Sequence, residues 1–172
     1  MKTLIYGAGP IGRWLTLLLA RTGTDVTLLA RNETYRSLAE DGIEIVDGLT
    51  GERHSARVNL VEQLGSDDRY DLIVVAMQKA SRLAVCPTLA RNEHLKSNLF
   101  LGNDVSSFHR YLDHAPAETV LLGFPIAGGG WSDGELVFMD REKPGGPHGE
   151  LHLGELDGEI RARTKEIAAL FA

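Results

Sequence analysis

The stretch Thr3-Leu4-Ile5-Tyr6-Gly7-Ala8-Gly9-Pro10-Ile11-Gly12 decides how the rest of the chain is read. Four apolar, strand-prone residues end abruptly at a glycine, the pattern of a buried strand. Ile11, Trp14, Leu15, Leu18 and Leu19 then recur at helical spacing. Gly23 stands where such a helix would stop. The three glycines therefore fall at a strand-to-helix turn, which is the setting a G-x-G-x-x-G fingerprint requires. Each has a distinct task there: Gly7 permits the tight turn, Gly9 lets backbone approach a pyrophosphate, and Gly12 lets helix and strand pack closely. The helix start adds free N–H groups and the positive end of its dipole. Gly7, Ala8, Gly9, Pro10, Ile11 and Gly12 are thus the expected phosphate-binding loop. A glycine-rich turn that binds nothing is the alternative.

Outward from this turn, strand and helix alternate. Residues 26–30 form a second apolar strand, followed by a helix capped at Asn32 or Thr34 and ended by Gly42. Ile43, Ile45 and Val58 suggest a hairpin-like excursion, and residues 60–64 a helical turn. Leu72-Ile73-Val74-Val75-Ala76 is the strongest strand signal. A helix over 80–91 follows, with Pro87 set to start or kink it. A strand at 99–101, a helix near 106–112 and a strand at 120–122 complete the alternation. Residues 123–154, rich in Gly and Pro, read as an antiparallel addition at one sheet edge, with strands at 135–139 and 150–153. A last helix is expected within 157–172. The expected class is α/β, a Rossmann-type doubly wound and mostly parallel sheet with that edge addition, as one domain over 1–172.

The end of the second strand selects the cofactor. An NAD-type site would place a carboxylate there for the ribose hydroxyls. The chain has Ala30-Arg31-Asn32. Arg31 can grip a 2′-phosphate in a bidentate manner and stack on adenine, so NADP is expected over NAD.

Composition limits the alternatives. The 172 residues are 43% hydrophobic and 24% charged, an ordinary globular mix. A net charge of −6 argues against a nucleic-acid partner. No apolar run is long enough to span a membrane. Cys86 is the only cysteine, which forbids an intramolecular disulfide and suits a reducing, cytoplasmic setting. Cys86 itself reads as a small core residue.

At these residues the chain resembles the ketopantoate reductase (2-dehydropantoate 2-reductase) family. The glycine loop and Arg31 carry the resemblance. Met77-Gln78-Lys79-Ala80 looks like the family's lysine-containing turn, Leu101-Gly102-Asn103-Asp104 like its Asn-Gly segment, and Leu151-His152-Leu153-Gly154 like the strand closing its first domain. The resemblance implies NADPH-dependent reduction of a 2-keto acid such as ketopantoate, a step of pantothenate biosynthesis. It places the nicotinamide near Met77, Gln78, Lys79 and Asn103, with Arg31 on the adenine-side phosphate. Two departures stand out. The family lysine aligns with Gln78, leaving Lys79 one place out of register, and Asp104 replaces the glycine after Asn103. Nothing in the chain corresponds to the family's helical second domain, which carries its general acid and a substrate-binding glutamate. No catalytic residue is therefore expected here. The chain reads as a piece of a reductase, as a non-catalytic dinucleotide-binding module, or as one completed by another subunit or by a homo-oligomer.

The remaining candidates read as structural. Ala127-Gly128-Gly129-Gly130-Trp131 is expected as a loop after a strand, with close approach to the nicotinamide half as the alternative; Trp131 is either core or a lid. His148 and His152 do not read as a metal pair, nor Ser106-Ser107 near His109 as a nucleophile site. Arg161, Arg163 and Lys165 are expected on a solvated helix face. No Tyr-x-x-x-Lys motif is present.

Overall fold

A computed structural model of the chain describes residues 1–103, 108–139 and 150–171. Asp104, Ser106, Ser107 and His148 lie outside the described residues. The first element, β1 (Thr3–Tyr6), runs into α1 (Pro10–Arg21), then β2 (Val26–Leu29) and α2 (Asn32–Asp41). Next come β3 (Ile43–Asp47), β4 (Arg53–Ala56), β5 (Asn59–Val61), β6 (Leu72–Val75), α3 (Lys79–Ala90) and β7 (Asn98–Leu101). After a short 3-10 turn at Phe108–Tyr111 follow β8 (Val120–Ile126), β9 (Gly128–Ser132), β10 (Glu135–Met139), β11 (Glu150–Glu155) and α4 (Ala162–Leu170).

The main sheet has seven strands in the order β11-β8-β7-β6-β1-β2-β5. All pairs are parallel except β11, which lies antiparallel on β8. Chain direction reverses across the sheet at β1: α1 carries the chain to β2 on one side, while β6 lies on the other. Such a switch point opens a crevice at the carboxyl ends of the strands.

Both faces of the sheet are covered, and successive strand residues serve opposite cores, as period-2 geometry requires. Ile5, Leu72 and Val74 join α1, Leu38 of α2 and Ile167 of α4. Leu4, Tyr6, Ile73 and Val75 join Val85, Cys86 and Leu89 of α3 and Tyr111. Cys86 is buried, as its apolar context suggested.

The expected edge addition is realised by β11 alone. Strands β9 and β10 instead join the hairpin β3–β4 in a second, four-stranded sheet ordered β4-β3-β10-β9. That sheet closes over α1, where Phe138 stacks on Trp14 with ring centroids 5.5 Å apart. The glycine run is thus a strand. Gly129 is small because a Cβ there would press on the Phe138 ring. Residues 60 and 61, the first of the helical turn expected over 60–64, instead lie in β5, which pairs with β2 as the outer parallel strand. Pro87 is accommodated inside α3. No described helix is long and apolar enough to cross a membrane.

Arg161 and Lys165 are exposed, as expected of a solvated face, but Arg163 is half-buried and, with Arg161, turns to Glu155. The Glu155 carboxylate, with its side chain only 3% exposed, receives both. The Nε of Arg163 donates to it at 2.8 Å and the Thr164 hydroxyl at 2.7 Å. The same hydroxyl accepts the Arg161 backbone N–H, closing the first turn of α4. Arg161 also grips Asp157 through both carboxylate oxygens. Arg163 beside Glu155 holds its carboxyl below the usual range despite burial.

Candidate functional site

The three glycines of the first turn differ in what surrounds them. Gly7 has φ +118°, and a Cβ there would lie 2.8 Å from both the Ala76 carbonyl oxygen and Met77 Cγ. Its N–H donates to the Leu29 carbonyl at 3.3 Å, fastening the turn to β2. Gly12 is buried, and its missing Cβ would collide with the Gly7 carbonyl oxygen. Gly9 is exposed with nothing within 4 Å of a Cβ position. The first glycine therefore serves the turn, the third serves packing, and the second leaves an open approach over the backbone.

Gly9 is also the N-cap of α1, and no side chain caps that end. Pro10 at the first helical position has no N–H to satisfy. The first intrahelical bond, from Arg13 N–H to the Gly9 carbonyl, comes only three residues later. The amides of Ile11 and Gly12 therefore have no intrahelical acceptor, at the positive end of the helix dipole. A helix start of this kind is a general setting for anion binding.

The neighbouring strand ends set out the rest of the crevice. Register pairs Tyr6 with Leu29 on β2 and with Val75 on β6, and Val75 in turn with Phe100 on β7. The carboxyl edge therefore carries, in spatial order, Asn103 after β7, Met77-Gln78-Lys79 after β6, the glycine loop after β1 and Arg31 after β2. Arg31 is exposed at the N-cap of α2 and makes no ion pair among the described residues. Gln78 is the N-cap of α3, with Lys79 first in the helix; both are exposed. Met77 is half-buried beneath Gly7, and Asn103 is exposed. All eleven residues expected from the sequence thus lie along one edge.

One further residue at this edge, Arg13, carries no motif legible in the sequence. Arg13 Nε donates to the Ala8 carbonyl at 3.0 Å, bracing the loop from the helix. Its guanidinium lies 4.9 Å from the centroid of the Trp131 ring, a cation–π pair supplied by the second sheet. Burial lowers the Arg13 pKa from its usual value. Trp131 itself is 56% exposed, so it is not a core residue. Among the described residues, no cluster of three or more His, Cys, Asp or Glu could hold a metal ion.

Comparison with known proteins places this geometry. The family model for ketopantoate reductase PanE/ApbA matches residues 3–158. The chain belongs to that family. A 2-dehydropantoate 2-reductase of Halobacterium salinarum is 28% identical over 175 residues, an alignment that covers 100% of this chain and 55% of the relative. Among solved structures, the 2-dehydropantoate 2-reductase of Geobacter metallireducens superposes with a TM-score of 0.81 at 23% identity, over 99% of this chain and 55% of that one. D-mandelate dehydrogenase in complex with NADH and anilino(oxo)acetate gives a TM-score of 0.81 at 21% identity, over 99% and 54% respectively. These superpositions show a shared fold with the ketopantoate reductases. The chain spans about half the length of the curated relative it matches.

Proposed function

We propose that this chain binds NADP(H) along the edge described and forms the cofactor-binding part of a ketopantoate reductase-type enzyme acting on a 2-keto acid. The observation that carries the reading is the contrast between Gly12, sealed against Gly7, and Gly9, open above an uncapped helix end. A turn shaped only for packing needs the first and not the second.

In this reading the diphosphate sits on the amides of Ile11 and Gly12. Arg31 takes the 2′-phosphate through charge-assisted hydrogen bonds, which NADH cannot form. Across the switch point, Gln78, Lys79 and Asn103 face the nicotinamide half. Bound NADPH supplies a hydride for the carbonyl carbon. The residues named here bind and orient. The similarity to a structure holding NADH and to 2-dehydropantoate 2-reductases supports the nicotinamide and keto-acid classes. The site's own chemistry supports the choice of phosphate.

Competition between NADPH and adenosine 2′,5′-bisphosphate, followed by NADPH fluorescence, tests the reading. Displacement by the bisphosphate and not by 5′-AMP at equal concentration is expected. Equal displacement by both would remove the 2′-phosphate assignment.

A further inference from the structure

Arg82, on α3 one turn beyond Lys79, is only 4% exposed. Its Nη1 donates to the Leu101 carbonyl, and its Nε has no hydrogen-bond partner. No carboxylate pairs with it among the described residues. A buried guanidinium without a counter-charge is costly, and an apolar side chain would fill the same space at lower cost. The contacts of Arg82 show what the charge is set against. A Cβ at Gly102 would collide with Nη1, Cζ and Nη2 of Arg82. From the other side, the Gly102 N–H donates to the Gly123 carbonyl of β8 at 2.9 Å. The turn after β7 is thus clamped between the guanidinium and β8. The next residue is Asn103, exposed at the carboxyl edge.

We propose that Arg82 is a positioning residue: its buried guanidinium fixes the Leu101-Gly102-Asn103 turn so that the Asn103 amide meets the nicotinamide half of the dinucleotide. The proposal rests on the reading of the edge as an NADP(H) site. Arg82 itself is fixed at both ends. Its backbone N–H donates to the Gln78 carbonyl at 2.9 Å, and its carbonyl accepts from Cys86 Sγ at 3.3 Å. The helix start carrying Gln78 and Lys79 and the turn carrying Asn103 are thereby tied to one residue, the first through its backbone and the second through its side chain.

The test measures two ligands on the full chain: NADPH, which spans the edge, and adenosine 2′,5′-bisphosphate, which reaches only the Arg31 side. Arg82→Met and Gly102→Ala disturb the same clamp from opposite partners. In both, NADPH affinity is expected to fall about 10-fold while the bisphosphate stays within about twofold, the loss expected of one or two hydrogen bonds. Arg82→Lys, which keeps the charge and a donor, is expected to recover part of the loss. Thermal melts identify a variant that fails to fold, and Arg82→Lys, which adds no atoms to the clamp, then decides the matter through the same ratio of the two affinities. Unchanged NADPH affinity in the folded variants, or parallel loss of both ligands, would overturn the positioning role. A wild-type chain that binds neither ligand would instead remove the underlying reading, and the proposal with it.

Discussion

Gly12 and Gly7 are pressed backbone to backbone, with no room for a single carbon between the α1 start and the end of β1. Gly9, between them in sequence, faces open space and has φ −74°, a conformation any residue adopts. The two glycines should therefore fail in different ways. Gly12→Ala is expected to destabilise the fold by about 1–3 kcal/mol, the usual cost of overpacking. Gly9→Ala is expected to leave stability within about 0.5 kcal/mol of wild type, yet to weaken NADPH binding about 10-fold or more by occupying the approach to the amides. Chemical denaturation and a fluorescence titration on both variants separate these effects. Equal loss of stability in the two would show that Gly9 serves packing after all.

Arg31 is exposed just beyond the end of β2. Removing it in Arg31→Ala should cost NADPH about 1.5–3 kcal/mol, the worth of hydrogen bonds to a charged group. NADH affinity should barely move, so the ratio of the two dissociation constants is the quantity to read. A ratio left intact by the substitution would place the 2′-phosphate elsewhere.

The Glu155 cluster is a stability element remote from the crevice. Its folded carboxyl is held below the usual value of 4.5, first by Arg163 and then by Thr164, against the opposing effect of burial. A depressed folded pKa means that the stabilisation is present above the unfolded value and lost as pH falls through the folded one. Glu155→Gln is expected to cost about 2 kcal/mol near neutral pH, with the difference from wild type shrinking under acid conditions. Urea unfolding of both proteins at about pH 7 and about pH 3 checks the sign. A gap that widens with acid would contradict it.

The second sheet is held to α1 by Phe138 on Trp14. Phe138→Ala should lower stability by about 3–5 kcal/mol, the range for a buried aromatic. A thermal midpoint unchanged by the substitution would show that this sheet is not part of the core.

Much of this architecture was legible from residues 3–12, because one strand, one glycine turn and one amphipathic helix are local signals with known geometry. Arg31 was legible for the same reason, since its meaning depends only on ending the second strand. The second sheet was not. Glu135–Met139 pairs in parallel with β3, some ninety residues earlier in the chain, and no local pattern announces a partner at that distance. Helical spacing alone cannot show that Glu155, eight residues away across a turn, buries its carboxylate against Arg163. Arg13 and Arg82 escaped for a related reason. Each is an unremarkable helical arginine until the fold brings Trp131 over one and Gly102 against the other.

In the proposed function, backbone amides at the first crossover hold a diphosphate, with Arg31 beside it. A ¹⁵N NMR titration of the chain with NADPH tests this residue by residue. The largest amide shifts are expected at Gly9, Ile11 and Gly12, with the Arg31 side-chain signal moving for NADPH and not for NADH. Saturable binding that leaves these signals in place, with shifts confined to other parts of the chain, would contradict it.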